Sequence, residues 1–571
     1  MKKYINYTLA VTLGLSILSC SDDHFDINPD VAGRQTLWEN INSNPELTQF
    51  AEILDKVCYS KSEGSTTSLK YSDMLNHDQT FTIWAPKNGT FDYNKYIQLV
   101  ESNPYTVEKE LIQNHLVRYS HVMNGSKVEQ LDLFNSKTAV FDPVNATMGG
   151  SNIITPNIGC SNGVLHVLGS AISYMPNLYE FIGSQPQLDS LNSFLKSYEK
   201  YSFDEYNSTQ GPTVNGNITW VDSVTHLSNE YFSMLEAEIT HEDSTFAMVM
   251  PTNTAWENAL KKTKDYFKYM PTYSQKITSV DDEGNSSEST VMRTFSTEEL
   301  DSMSALYSNN AICQNLVFNA NYQALPFNID NPADCDSLES TAGRVFEKPQ
   351  VEDIFADAKP IEVSNGYAYV VDTFAYRASD TWAADKNFEA EQPSNIENST
   401  RCNLMNSTLS FVEGDSIVKF TITRGIQTAP TMNPDITFKL QNVMSCKYDI
   451  YVVMAYNSNA NMPTKFKASI TFHDGKRSTQ TTSNLKSIAG DTIHTGPSNT
   501  FVNRECPYTD EEGNIQYTDS ILIAKDFSFP VSYYGLDFYP TIKLASNISS
   551  KETSSYTREM WIDKIVLVAK E

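Results

Sequence analysis

Phe81-Thr82-Ile83-Trp84-Ala85-Pro86-Lys87-Asn88-Gly89-Thr90-Phe91 decides how this chain is read. An apolar, partly β-branched run stops at a proline and turns, which predicts a short strand. Phe246-Ala247-Met248-Val249-Met250-Pro251-Thr252-Asn253-Thr254-Ala255-Trp256 has the same design. Further along, Asn162-Gly163-Val164-Leu165-His166-Val167-Leu168 is answered by Asn365-Gly366-Tyr367-Ala368-Tyr369-Val370-Val371, each an Asn-Gly turn feeding a strand. Upstream, Asn44-Pro45-Glu46 reads as an N-cap with proline at the first helical position. Leu47, Phe50, Ala51, Leu54, Val57 and Cys58 then follow at helical spacing. Gln185-Pro186-Gln187, with Leu188, Leu191, Leu195 and Tyr198 on one face, repeats that start. The chain therefore carries an internal repeat.

These residues resemble the fasciclin domain, a small α+β unit named for a cell-adhesion protein. Its first motif reads roughly T-x-F-x-P-x-N-x-A-F, followed here by Phe81–Phe91 and Phe246–Trp256. Its last strand, N-G-x-x-H/Y-x-x-D/G, is matched by Asn162–Gly169 and Asn365–Asp372. The family's intervening Tyr-His pair, linked to integrin adhesion, falls at Gln113-Asn114-His115-Leu116-Val117 and Gln314-Asn315-Leu316-Val317. The first keeps only the histidine and the second keeps neither residue, so that role is not carried over.

Spacing locates the differences between the copies. Phe81 to His115 is 34 residues and Phe246 to Asn315 is 69, whereas His115 to Asn162 is 47 and Asn315 to Asn365 is 50. The excess lies near Tyr266–Thr297, around the acidic turn Val280-Asp281-Asp282-Glu283-Gly284-Asn285, which suits an exposed hairpin. A second addition lies near Ser202–Val224, since Pro45 to Phe81 is 36 and Pro186 to Phe246 is 60. Loops of this length are usually functional or mobile.

From about Glu391 the pattern changes to nearly pure strand. Val418, Phe420 and Ile422 alternate with polar residues, as do Tyr448, Ile450, Val452, Met454 and Tyr456, then Phe466, Ala468, Ile470 and Phe472. Many short alternating strands predict a β-sandwich. The ending Asp563-x-Ile565-x-Leu567 is similar to the last strand of galactose-binding-like jelly rolls found in carbohydrate-binding modules. The fold class expected is thus α+β: two fasciclin-like domains in tandem, then an all-β jelly-roll-like sandwich. The expected division is 1–19 signal peptide, 20–34 tether, 35–184 first domain, 185–380 second domain with insertions, 381–400 linker and 401–571 sandwich.

At the N-terminus, Lys2-Lys3 precede the apolar run Leu9–Leu18, too short to span a bilayer, which takes about 20 apolar residues. The run ends in Ile17-Leu18-Ser19-Cys20, which resembles the lipobox of bacterial lipoproteins. That resemblance implies cleavage before Cys20 and a lipid on its sulfur. Ser21-Asp22-Asp23-His24 is similar to the acidic signal that sends some such lipoproteins to the outer face of the outer membrane. Cleavage would leave 552 residues and a formal charge of −30, against −28 for the full 571. The acidic balance, with pI near 4.7, argues against nucleic acid, which is held by clustered Lys and Arg.

Eight cysteines less Cys20 leave seven, none spaced C-x-x-C, so a local zinc site is not expected. Cys58 is expected buried and free on the helix face, and one or two disulfides are allowed elsewhere. Gly159-Cys160-Ser161-Asn162-Gly163 matches G-x-S-x-G, but Asn-Gly followed by an apolar run favours a hairpin turn over a nucleophile elbow. His115 reads as a satisfied core or capping residue. His241-Glu242-Asp243 lacks the second histidine of H-E-x-x-H. Asp281–Asn285 and Asp510-Glu511-Glu512-Gly513-Asn514 read as hairpin tips, without the ligand spacing of a calcium loop. No catalytic, metal or cofactor residue is nominated.

Sugars are held by aromatic faces flanked by amides and carboxylates. Tyr456, Asn457 and Asn459 in one apparent loop and Tyr533 and Tyr534 in another are the ligand-binding candidates. The expected function is that of an outer-membrane surface lipoprotein, non-catalytic, binding glycan or peptide. Similar lipoproteins accompany a TonB-dependent importer and its lid lipoprotein, so these are the partners the resemblance implies. A structural adhesin binding matrix or neighbouring cells is the alternative, and a secreted hydrolase the rival from another class.

Overall fold

The computed structural model describes residues 33–125, 127–213, 218–280, 286–321, 326–356, 358–413, 416–428, 432–455, 462–505 and 508–570. Cys20, Tyr456, Asn457, Asn459 and the acidic turn 281–285 lie outside the described residues. The chain divides into two compact units, residues 1–247 with 360–368 and residues 248–359 with 369–571.

In the first unit, Thr36 caps a helix at Leu37–Ser43, accepting from the Glu39 N–H while the Glu39 carboxylate accepts from the Thr36 N–H. Asn44 ends this helix rather than opening the next, which runs Thr48–Lys56 from Leu47. Cys58 falls beyond it, at the head of the strand Cys58–Ser62, and is half-buried. The helical period read from the sequence carries on past Lys56 because Val57 is buried too, but as the residue that leaves the helix in extended conformation.

The strand Phe81–Pro86 is buried at every position. It pairs parallel with Gly163–Leu168 and antiparallel with Leu116–Arg118. The sheet continues from Gly163–Leu168 through Ser151–Cys160, Thr147–Met148 and Thr138–Asp142 to Glu129–Asp132. Phe81, Ile83 and Ala85 enter a core with the helices, while Trp84 enters another with Phe141, Met148 and Leu168. Burial on both faces explains a continuous apolar run where one-sided burial would demand alternation.

One asparagine locks each copy. Asn162 Oδ1 accepts from Leu37 N at 2.8 Å, and its Nδ2 donates to the Leu75 and His77 carbonyls at 2.8 and 2.7 Å. Asn365 does the same with Leu178 N at 2.9 Å and the Ile239 and His241 carbonyls at 2.8 and 2.9 Å. The following glycines, Gly163 and Gly366, have φ of 147° and 146°, and a Cβ there would lie 1.9 or 1.8 Å from the Phe81 or Phe246 carbonyl oxygen. Only glycine fits so close to a neighbouring backbone. The second copy begins with its own capping box, Asn177 with Glu180, on the helix Leu178–Ser184. Its four-stranded sheet has the order Val317–Asn319, Phe246–Pro251, Gly366–Val371, Ile361–Val363, the order of the four strands of the first copy's sheet counted from its edge strand Leu116–Arg118. Lys137, nearly fully buried in the first unit, donates to Glu242 at 2.7 Å and Ser364 at 2.9 Å and lies 3.1 Å from Glu180.

Both expected insertions are hairpins. One pairs Glu199–Gln210 with Trp220–Asn229, the other Thr272–Val280 with Ser286–Thr294.

The second unit contains two antiparallel sheets packed face to face. One runs Cys402–Glu413, Ser416–Thr428, Met560–Lys570, Lys447–Ala455, Thr518–Ser528, with Lys386–Glu389 also on Met560–Lys570. The other runs Ile396–Thr400, Asp435–Lys439, Thr541–Ser546, Lys465–Phe472, Thr500–Val502, Thr495–Gly496, with Thr481–Asn484 also on Lys465–Phe472. Ile450, Val452, Ile565 and Leu567 from the first sheet meet Phe438, Phe466, Ile470 and Leu544 from the second in one core. The stretch 381–400, expected as a linker, instead supplies a strand to each sheet, and Phe388 is buried in that core. Two short strands on either side of Gln392-Pro393 are paired only by residues more than thirty positions away, which no local signal announces.

The second hairpin is not free-standing either. Tyr273 at its base is fully buried in the sandwich core with Met270 and Phe295. Its hydroxyl donates to Ser532 O at 2.7 Å, and Ser274 N donates to Ser478 O at 2.9 Å.

Candidate functional site

Within the second unit, three segments converge on an open crevice of about 570 Å³. The end of the helix Asn253–Thr263 and the turn after it bring Lys262, Asp265 and Tyr266. The chain leaving Gly366–Val371 brings Thr373–Ala378 and Trp382, and the turn before Lys447–Ala455 brings Ser445 and Cys446. Ser445 stitches these together: its N–H donates to Tyr266 O at 3.0 Å, its hydroxyl to Asp265 O at 2.9 Å, and its Oγ accepts from Lys268 N at 2.9 Å.

Aromatic rings form the wall. Trp382 stands edge-on to Tyr266 (5.8 Å between centroids, 81°) and nearly parallel to Phe374 (6.3 Å, 27°), which stacks on Tyr376 (4.9 Å, 28°). The Trp382 indole N–H is buried and has no hydrogen-bond partner among the described residues. At the rim, Arg377 pairs with Asp353 at 2.7 Å and Lys268 with Asp265 at 2.6 Å.

Trp382 also walls an adjoining cavity of about 270 Å³. Here the helix Thr297–Cys313 presents Tyr307, Asn310 and Ala311, and Gln314 follows at its end. Phe267, Lys386 and Tyr534 complete it, with Tyr534 edge-on to Tyr307 at 5.0 Å and to Phe267 at 5.5 Å. Tyr269 fixes the Tyr534 backbone by donating to its carbonyl at 2.9 Å. Burial lowers the Lys386 ammonium pKa and pushes the Cys446 thiol up to about 11. A combined surface of flat rings with amides and charges at its margin is the chemistry that holds a pyranose.

Of the candidates read from sequence, Tyr534 lines this site. Tyr533 does not: it is fully buried, with its hydroxyl accepting from the His473 backbone N–H at 2.7 Å and its ring 5.8 Å from Tyr273. The turn at Tyr534-Gly535, closed by Leu536 N donating to Tyr533 O at 3.2 Å, sends the two rings into different surroundings. Trp382, Phe374, Tyr266 and Lys386 were not singled out by sequence. The run Phe374-Ala375-Tyr376, with Trp382 six residues on, is the signal that was available, but it straddles the expected boundary at 380.

Features considered for catalysis have other roles. Ser161 and Asn162 form the turn between the antiparallel strands Ser151–Cys160 and Gly163–Leu168, with no helix after the serine. His115 is a buried core residue. Glu242 accepts from Lys137. Asp510 accepts from the backbone N–H groups of Glu512 and Asn514 at a hairpin tip. Among the described residues, no three of His, Cys, Asp and Glu are grouped to hold a metal ion. Cys58, Cys160, Cys335, Cys402 and Cys446 carry free thiols.

Residues 47–174 match the family model of the fasciclin domain. Among solved structures, the chain is similar to a fasciclin (FAS1) domain pair from the insect cell adhesion molecule Fasciclin I, at 13% identity over 53% of this chain and 90% of that one, TM-score 0.19. It is also similar to carbohydrate-binding modules of the β-sandwich superfamily, at 9% identity over 65% of this chain and 96% of that one, TM-score 0.15. A xanthan lyase from Paenibacillus is similar at 12% identity over 36% of this chain and 16% of that one, TM-score 0.20. No curated protein sequence matches the chain.

Proposed function

We propose that this fasciclin-domain chain is a non-catalytic surface protein that captures glycans in the crevice around Trp382. The observation that carries the reading is the aromatic wall itself: Tyr266, Phe374 and Trp382 line one cavity, and Trp382 joins it to a second that holds Tyr307 and Tyr534. Pyranose C–H faces stack on such rings, while Asp265, Asn310 and Gln314 can bond hydroxyls.

In this reading the lipobox-like Cys20 moors the protein to the outer membrane, facing outwards, beside a TonB-dependent importer and its lid lipoprotein. A lipid leash turns a weak binder into an effective one, because each released glycan stays near the channel and is recaptured locally.

Affinity electrophoresis of the full chain through polysaccharide gels tests it. Wild-type protein is retarded by at least one glycan, and Trp382→Ala removes the retardation while leaving the circular-dichroism spectrum unchanged. Free migration of the wild type through every acidic and neutral polysaccharide would overturn the reading.

Adhesion to matrix or neighbouring cells is the second reading, favoured by the first hairpin. Tyr201, Phe203 and Tyr206 are 61%, 46% and 95% exposed, and Phe203 packs 4.9 Å from Trp220. Exposed aromatics of this kind are enriched at protein contacts. Cell adhesion that survives Trp382→Ala would move the weight to this hairpin.

A further inference from the structure

The smaller cavity contains a cation that the fold leaves without an anion. Lys386 opens the strand Lys386–Glu389 and faces Leu567 in register, which fixes its backbone. Its ammonium sits 5.8 Å from the centroid of the Tyr534 ring. Among the described residues no carboxylate lies within ion-pair reach of it, although Asp385 lines the same cavity. The neighbouring Cys446 is held as a neutral thiol by burial. A cation–π contact offsets part of the cost of removing an ammonium from water, but a paired carboxylate would offset far more.

The Trp382 ring lines the same cavity and carries it over into the larger crevice. Over the whole crevice Arg377 is taken by Asp353 and Asp265 by Lys268, which leaves Lys262 and Lys386 set against Asp385. A chain of formal charge −28 therefore places a locally cationic, aromatic-walled recess in one spot.

We propose that the glycan held here is acidic, with a uronic-acid carboxylate accepting from the Lys386 ammonium while its ring lies against the aromatic wall. The inference rests on the glycan-binding reading above and narrows it to one sugar class. An acidic peptide would need main-chain partners as well.

The test measures binding of the full chain to oligogalacturonate, alginate and hyaluronate oligomers, to methyl-esterified oligogalacturonate of matched length, and to neutral galactan and xylan oligomers. Wild type should prefer at least one acidic oligomer to all neutral ones, and added salt should weaken that binding. Lys386→Met, which keeps the apolar stem, should lose about ten- to hundred-fold in affinity for that oligomer, the size of a charge-assisted hydrogen bond. Its loss of affinity for neutral oligomers should be clearly smaller than for the acidic one, and Lys386→Arg should restore most of the acidic loss. Preference for neutral or esterified oligomers, or acidic binding untouched by Lys386→Met in a protein of wild-type thermal midpoint, would overturn the acidic assignment and leave the crevice reading standing. Binding of an acidic peptide but no glycan would overturn both.

Discussion

His115 and His166 each use both ring nitrogens as neutral imidazoles. His115 Nδ1 donates to Leu111 O at 2.6 Å and its Nε2 accepts from Ile172 N at 2.8 Å. His166 Nε2 donates to His121 O at 2.9 Å, its Nδ1 accepts from Asn157 N at 3.3 Å, and its ring stacks on Trp84 at 5.5 Å. A second proton on either ring would face an N–H rather than an acceptor, and burial pushes both pKa values down to about 4. The folded state therefore refuses a proton that the unfolded state takes up near pH 6.5. Stability from this source is full above pH 6.5 and is lost as pH falls towards 4, by on the order of 3 kcal/mol for each ring. Urea midpoints of the first unit, followed by amide exchange, should fall across that window, and His166→Gln should flatten part of the slope. An unchanged slope in that variant would show that His166 does not contribute. At this scale the sequence was informative where a residue's surroundings are local. His115 read as a core residue because it lies in an apolar helix-to-strand segment, whereas nothing near Tyr533 and Tyr534 tells which of the two rings is buried.

The elements themselves were legible from periodicity and turn chemistry, since both act over a few residues. The strands at Phe81 and Phe246, the Asn-Gly turns and the two insertions all stand where spacing put them. What the insertions pack against was not legible. The second hairpin, Thr272–Val280 with Ser286–Thr294, was expected to be exposed from its acidic turn, yet Ser274 and Gln275 near its base are buried, with Ser274 hydrogen-bonded to Ser478 and Gln275 accepting from Tyr539 N at 3.1 Å. Tyr273 anchors this hairpin, so Tyr273→Ala should lower stability by about 3–5 kcal/mol through the cavity it leaves. Tyr273→Phe, which loses the bond to Ser532 O and the one accepted from Met270 N, should cost about 1–2 kcal/mol. Thermal or urea unfolding of the two variants distinguishes an anchor from a loosely attached flap, for which both changes would be small.

At the scale of the whole molecule, the proposed anchor is a property of the first twenty residues and is independent of the folded units. Replacing Cys20 with Ala should move the protein from the membrane fraction to the soluble fraction, because acyl chains contribute about 0.8 kcal/mol per buried methylene and nothing else in the described chain is built to substitute for them. No helix among the described residues is long and apolar enough to cross a membrane. Membrane retention by the Cys20→Ala protein would remove the lipid anchor from the proposal. Sequence alone determined the internal repeat, the strand-rich C-terminal region and the hairpin nature of the G-x-S-x-G stretch, because strand period, Asn-Gly turns and proline stops are enforced by neighbouring residues. Only the tertiary structure decided that 381–400 belongs to the sandwich and that Trp382, Lys386 and Tyr534 share a cavity. Those outcomes depend on pairings such as Ser445 with Asp265 and Tyr269 with Tyr534, made across 180 and 265 positions of chain. No local pattern encodes a contact of that range; it exists only after the sheets have closed and excluded water from the groups between them.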